Sequence, residues 1–317
     1  MKVLIISSYR VFRSDGIIPY VKEQTLALCS LGVECEHFLV RGKGIRGYLS
    51  EIPRLRKYIQ QMRPDIIHAH FGLSGLLANL ATRRIPVVVT YHGSDINVAK
   101  TRKFSRLAMW LAAWNIFVSK RSMALVRAVD GKKCSLIPCG VALSDDQLQT
   151  REEARSVLGW HKDEKKVLFA GMYADAVKGP ELAKQAIMEL EHEGMSVELV
   201  ELRGYNREEV NRLMCAADSI LMTSKTEGSP QAIKEAMACG CPIVSVDVGD
   251  VAERIEGVQG CILVPTREPK DVANALKEAM AFKGKTMGRE KVLEDGLSNE
   301  QVAARIKAVY ERLGIRD

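Results

Sequence analysis

Two doubly wound parallel sheets in separate domains are the α/β fold this sequence predicts, and three observations predict it. Short β-branched runs alternate with helical stretches of about 10 to 15 residues, the pattern of parallel strands joined by crossover helices. A polar, charge-rich stretch at 140–166 interrupts that alternation once. The chain of 317 residues, 47% hydrophobic and only 6% aromatic, is long enough for two cores of ordinary size.

The elements follow in order. Strands are expected at 2–7 (KVLIIS), 34–40 (ECEHFLV), 65–70 (DIIHAH), 86–91 (PVVVTY), 115–119 (NIFVS) and 134–138 (CSLIP), with amphipathic helices between them. The stretch 140–166 reads as the linker. Strands then resume at 166–171 (KVLFAG), 196–202 (SVELVEL), 218–224 (DSILMTS), 242–247 (PIVSVD) and 261–264 (CILV), followed by helices near 268–282 and 298–313. In open α/β sheets ligands bind beyond the carboxyl ends of strands, so the loops that follow strands are where function is sought.

Composition narrows the classes. Residues 1–150 carry 22 Lys and Arg against 10 Asp and Glu, while the whole chain has a formal charge of only +7. The first half is therefore the basic half, which favours an anionic substrate, an anionic membrane surface or nucleic acid without choosing among them. No window approaches a membrane span, and the N-terminus has no signal-type cleavage site, so a cytoplasmic protein is expected. The eight cysteines include no C-x-x-C pair and read as small apolar residues, neither a zinc site nor a disulfide framework.

The most informative segment is TEGSPQAIKEAMACGCPIV at 226–244. Ser229 is expected to cap a helix with Pro230 at its first position, and Gly240 to stop it. Glu227 then lies in the loop after a strand and Glu235 about one and a half turns down the helix. The free N–H groups of such a helix start, backed by the macrodipole, suit a phosphate. A carboxylate on each side could hold hydroxyls, which describes a nucleotide-sugar. The same spacing also describes a capped surface helix with a solvated glutamate, and spacing alone leaves both open.

EGSPQAIKEAMACGCPIVSVDVGDV closely resembles the E-x7-E segment of the family 4 retaining glycosyltransferases. Those enzymes have the GT-B fold, two facing Rossmann-like domains with a cleft between them. The resemblance extends over most of the chain, through PDIIHAHFG (64–72), TYHGSDIN (90–97), FVSKRS (117–122), IPCGV (137–141), FAG with KG (169–171, 178–179) and AADSILMTS (216–224). It implies that Glu227 bonds the donor sugar, with Gly228, Ser229 and Pro230 at the helix start offering main-chain contacts. It implies Glu235 on the ribose, Lys178 on the diphosphate, and His92 positioning the sugar. No cofactor and no metal is implied, since fixed positive groups stabilise the leaving diphosphate.

Other residues have competing readings. His92 follows a strand, where a lone histidine is more often structural. His68 and His70 have a spacing that could ligate a metal, but no third ligand is evident and a satisfied pair of strand histidines is expected. The loop at 7–20 lacks G-x-G-x-x-G, so a dinucleotide cofactor has no support; Gly16 leaves backbone approach to the diphosphate open, and Arg10 and Arg13 could face an anionic acceptor. Relatives carry Arg where this chain has Met172, and Arg203 is the substitute considered for it. Relatives have Asn and Asp where this chain has Cys139 and Ala142. Trp110 and Trp114 sit one helical turn apart in a basic, apolar stretch that suits either a membrane interface or, as expected here, core packing.

The expectation is a metal-independent retaining hexosyl-type transferase. Residues 1–147 would bind acceptor, 148–300 the nucleotide-sugar, and the helix at 301–317 would pack back toward the first domain. The acceptor would be a polyprenyl-linked or other glycan of bacterial surface polysaccharide, met at the inner face of the plasma membrane through the basic first domain. Three alternatives stand beside it. One is a GT-B nucleotide-sugar epimerase, and one a non-catalytic relative that binds nucleotide or a partner glycosyltransferase. The third, a nucleic-acid binder, ranks last because it lacks a recognisable module or stacking platform.

Overall fold

The computed structural model describes residues 1–9, 15–126 and 133–314. Two compact units share the chain: Met1–Gly140 together with Asn299–Asp317, and Val141–Ser298.

The first unit runs β1 (Lys2–Ser8), α1 (Pro19–Ser30), β2 (Glu34–Val40), α2 (Gly44–Ser50), α3 (Ile52–Met62), β3 (Ile66–His70), α4 (Gly72–Ala81), β4 (Val87–Tyr91), α5 (Ser94–Asn97), α6 (Ala99–Leu111), β5 (Trp114–Phe117), α7 (Lys120–Ala124) and β6 (Cys134–Leu136). Its strands form one parallel sheet in the order β2-β1-β3-β4-β5-β6. β3, β4 and β5 are buried along their whole length, which is why they read as unbroken apolar runs rather than alternating ones.

The second unit runs α8 (Arg151–Leu158), β7 (Lys165–Phe169), α9 (Pro180–His192), β8 (Val197–Glu201), α10 (Arg207–Ala216), β9 (Ser219–Met222), α11 (Gln231–Cys239), β10 (Ile243–Val246), α12 (Val251–Ile255), β11 (Cys261–Val264), α13 (Pro269–Ala281) and α14 (Gly288–Glu294). The sheet is parallel in the order β11-β10-β9-β7-β8. The last helix, α15 (Asn299–Arg312), returns to the first unit and packs on α1.

The expected linker is folded. Within 140–166 lie a short 3-10 helix, Asp145–Leu148, and α8, which begins with a reciprocal capping box between Thr150 and Glu153 and ends at Gly159 in the left-handed region. The physical reason is Arg155. Its buried guanidinium donates to the carbonyls of Ala216, His161, Lys162 and Glu164 and to Asp218 Oδ2 at 2.7 Å. A charge-rich stretch can thus be structural when one cation is fully satisfied by backbone.

Trp114 is buried, but Trp110 is not the core residue expected. It is 80% exposed, because its partner belongs to the strand that follows α6 rather than to the same helix face. Cys29 is likewise exposed, unlike the buried Cys139, Cys215, Cys239 and Cys241; all eight thiols are free.

Arg155→Met removes the bonds to four carbonyls and leaves Asp218, itself 3% exposed at the side chain, with weaker cationic neighbours. The expected loss is about 3 kcal/mol of stability, read as a lower urea midpoint; an unchanged midpoint would return 140–166 to the status of a linker.

Candidate active site

In the second unit the ends of β7 and β9 are brought together by their adjacency in the sheet. The loop after β7 turns through a 3-10 segment, Ala176–Lys178, and Gly179. Gly179 has φ +70, and a Cβ there would lie 2.2 Å from the Thr223 carbonyl oxygen. Gly171 has the Lys178 side chain across it, with Cβ and Cγ 2.7 Å from where its own Cβ would be. Gly179 lets the lysine loop lie flat on the end of β9, and Gly171 lets the Lys178 side chain fold back across the start of its own loop.

Three further ties fix the two loops. Thr223 Oγ1 donates to the carbonyls of Gly179 (2.8 Å) and Lys178 (3.1 Å), and Lys225 N donates to Val177 O at 2.8 Å. Arg267, after β11, donates from Nη2 to Thr223 O at 2.7 Å and from Nη1 to Ser224 O at 3.0 Å. The result is a half-buried ion pair, Lys178 Nζ to Glu227 Oε1 at 2.7 Å.

Helix α11 starts one residue later than expected. Pro230, in extended conformation, is the N-cap, without a side-chain cap, and Gln231 opens the helix. Ser229 does not cap, because its hydroxyl donates to Asp250 Oδ2 at 2.8 Å and accepts from Lys234 Nζ at 3.2 Å. That puts Glu235 about one turn in, not one and a half. Lys234 and Asp250 are both buried, and burial pushes the Asp250 carboxyl up despite the opposing charges of Lys234 and Arg254. Gly228 is buried against Gly249, whose Cβ would meet the Gly228 carbonyl oxygen at 2.8 Å.

Glu235 is nearly buried and its Oε1 is ion-paired with Arg207, the first residue of α10. Arg207 was not among the residues expected from sequence. The Asn206 and Glu209 capping box announces a helix start there, but nothing in the spacing tells which way Arg207 points. Arg203 is exposed, with no side-chain hydrogen bond or ion pair among the described residues. Met172 is also exposed, at 46%. Arg267 is the other residue that sequence reasoning missed.

In the first unit His92 follows β4. Its Nε2 lies 3.0 Å from His70 Nδ1 and its Nδ1 3.5 Å from Cys139 Sγ. The rings of Phe71 and Tyr20 flank it at 4.6 and 5.0 Å. Phe71 holds φ 72, a strained value for a residue with a side chain. The backbone beneath is fixed by buried Asp95, which accepts from the N–H groups of Gly72, His92 and Gly93 at 3.0, 3.0 and 3.1 Å. Burial raises its carboxyl to about 6 against those three donors.

His68 and His70 are stacked and fully buried. His68 is satisfied by Tyr310 of α15 (2.6 Å) and Thr90 (2.7 Å), whereas His70 Nε2 has no partner among the described residues. Burial lowers His68 to about 3 and holds His70 well below the ordinary range. Both are neutral at pH 7. An orphaned ring N–H costs more than an unused acceptor lone pair, so His70 is protonated on Nδ1 and donates to His92 Nε2. The Nδ1 side of His92 faces the sulfur of Cys139. Among the described residues no group of three His, Cys, Asp or Glu could hold a metal ion.

Gly16 is buried in the first unit, where a Cβ would lie 2.2 Å from the Tyr9 ring. That crowding and its φ of +70 both call for a glycine there. Arg10 and Arg13 lie outside the described residues.

Two parallel α/β units, each with its polar groups at strand ends, define the GT-B class. Glycosyltransferase Family 4 matches residues 30–145 and Glycosyl transferases group 1 matches residues 153–281. The chain belongs to the family 4 glycosyltransferases. It is 29% identical over 246 residues to a Bacillus subtilis (strain 168) protein assigned to teichuronic acid biosynthesis as glycosyltransferase TuaC, covering 70% of this chain and 61% of that one. It is 26% identical over 309 residues to the D-inositol 3-phosphate glycosyltransferase of Jonesia denitrificans, covering 78% and 72%. The first-named match thus spans about three fifths of the relative's length. Among solved structures, sucrose-phosphate synthase from Thermosynechococcus elongatus shares the fold with TM-score 0.81 at 18% identity over 98% of both chains. Anabaena HepE, solved with UDP and glucose, gives TM-score 0.70 at 16% identity over 98% of this chain and 100% of that one.

The buried histidines set a pH dependence. Their folded pKa lies below the unfolded value near 6.5, so their contribution is present above pH 6.5 and is lost as pH falls through the folded values, which for His68 is about 3. Stability should therefore fall below pH 6.5, with each histidine contributing up to about 1.4 kcal/mol per pH unit. His68→Gln should lower that slope by about one proton; an unchanged slope in denaturant titrations from pH 7 to 5 would contradict the neutral, buried assignment.

Proposed function

We propose that this chain transfers a sugar from a nucleoside diphosphate-sugar to a hydroxyl acceptor, with retention at the anomeric carbon and without a divalent metal. The observation that carries this reading is the Lys178–Glu227 pair beside the start of α11. In the unliganded chain each charge neutralises the other. A diphosphate takes the lysine, whose ammonium is a better match for two phosphates than for one carboxylate already near the protein surface. Glu227 is thereby left to accept hydrogen bonds from sugar hydroxyls.

As the bond between the anomeric carbon and phosphate breaks, negative charge grows on the leaving diphosphate. Lys178 and the main-chain N–H groups of Gly228, Ser229 and Gln231 are fixed near it and stabilise it. The leaving phosphate takes the proton of the incoming hydroxyl, so no Asp or Glu nucleophile is assigned. Glu235 binds the ribose through Oε2, its Oε1 being held by Arg207. His92, held at both ring nitrogens, has a positioning role. Anabaena HepE, solved with UDP-glucose, supports a nucleotide-sugar as donor. The assignment of TuaC to teichuronic acid biosynthesis supports a setting in bacterial polysaccharide synthesis, and a polyprenyl-linked or other glycan is the acceptor this reading takes. The first unit, with its basic surface, is assigned to the acceptor at the inner face of the membrane, and the second to the donor.

One observation favours a second reading. Exposed Met172 stands where relatives place a cation, as it would in a nucleotide-binding relative without transfer activity.

Calorimetric titration with UDP, GDP, ADP and TDP, first without metal and then with magnesium, tests the proposal. One of them should bind without metal. Lys178→Ala should weaken the nucleoside diphosphate about ten- to a hundredfold and the bare nucleoside little. Glu235→Ala should weaken both, and Glu227→Gln should lower sugar transfer at least about a hundredfold while much of the nucleotide affinity remains. A folded protein that binds none of the four would remove the donor-site assignment and favour the second reading.

A further inference from the structure

Helix α6 has an inward face buried by its neighbours and an outward face that is exposed among the described residues. Ser105, Ala108 and Met109 are buried where α6 packs on α4. The packing is close: a Cβ on Gly72, the first residue of α4, would lie 2.0 Å from Ser105 Oγ. Arg102 is tied back to the preceding turn, donating to Ile96 O at 2.6 Å and Asn97 O at 3.0 Å. The rotation of the helix is therefore fixed.

Outward point Lys103, Arg106, Leu107, Trp110 and Leu111, all exposed and spaced i, i+3, i+4, i+7, i+8, which is one helical face. Trp110 is 80% exposed, Leu107 47% and Leu111 37%. A large apolar group left in water at that degree of exposure forgoes the burial free energy its ring could gain. The charge around it has one sign. No Asp or Glu occurs from Ile96 to Val129, and the turn before β4, beside which α6 ends through Ala113 N to Val87 O at 2.9 Å, adds the exposed Arg83 and Arg84.

We infer that this face of α6 is a docking surface for an anionic lipid bilayer. Indole belongs at the boundary between headgroups and acyl chains, with leucines beside it buried a few ångströms deeper. Lysine and arginine stems lie along the same boundary and place their charges among anionic headgroups. The contact is one of lying on the surface, as no helix among the described residues is long and apolar enough to cross a membrane. It adds a specific surface to the lipid-linked acceptor of the proposed function but is read without donor or acceptor, so either can fail alone.

The test is flotation of the purified full chain with vesicles of phosphatidylcholine, and of equal parts phosphatidylcholine and phosphatidylglycerol. The wild type should float with the mixed vesicles only, and high salt should release it. Trp110→Ser, and separately Lys103→Glu with Arg106→Glu, should each lower the partition coefficient about tenfold or more. Val157→Ser, an equally drastic change at a residue 65% exposed on the second unit, should leave it unchanged. Unchanged melting temperature and nucleotide binding in the variants would show that the fold and donor site are intact. Wild-type failure to float, variants that float like wild type, or a Trp110→Ser variant altered only in its oligomeric state on sizing would each overturn the inference.

Discussion

A lysine and a glutamate from two different loops are held 2.7 Å apart in the second unit, and the geometry of the candidate donor site depends on that pair. Exposed ion pairs are worth little and wander. This one is fixed because the backbone on both sides is fixed first. Gly179 lacks the Cβ that would separate the loops, Gly171 leaves room for the Lys178 side chain, Thr223 bonds the carbonyls of Lys178 and Gly179, and Arg267 clamps the two carbonyls at the end of β9. The strand order makes this possible, since β7 and β9 are neighbours although β8 lies between them in sequence. Sequence-distant charges thus become a preorganised pair that an anion can divide.

The same logic of fixing the frame before the reactive group appears in the first unit. Asp95 gathers three backbone N–H groups around the turn that carries His92, and a column of neutral histidines supports the ring from below. Substituting cysteine at 139 for the residue relatives carry places a sulfur, a weak acceptor, at Nδ1. His92 is thereby oriented through both ring nitrogens and by the rings of Phe71 and Tyr20. A ring so held is suited to positioning a bound group.

The sheets were the most legible part of the sequence, because buried parallel strands must be continuous apolar runs and there is little else such runs can be. Among the described residues, all eleven strands lie where those runs stand in the sequence, to within a few residues. The loops that bear Lys178, Glu227 and Glu235 were legible as loops and helix starts. Their partners were not. Arg207 and Arg267 are ordinary arginines in sequence, and only the rotation of α10 and the position of β11 direct them inward. Side-chain facing also defeated the reading of Trp110: helical spacing to Trp114 holds only if one helix contains both, and the helix ends first. Ser229 looked like a cap for a similar reason, since its competing partner, Asp250, arrives from beyond the next strand.

The most direct measurement is a crystal structure of the full chain with the nucleoside diphosphate that binds it most tightly. Lys178 Nζ should have left Glu227 and lie about 3 Å from a diphosphate oxygen, with the Glu227 carboxylate open toward the sugar position. A diphosphate bound elsewhere, or one bound while the Lys178–Glu227 pair stays closed, would contradict the exchange of partners on which the donor site is built.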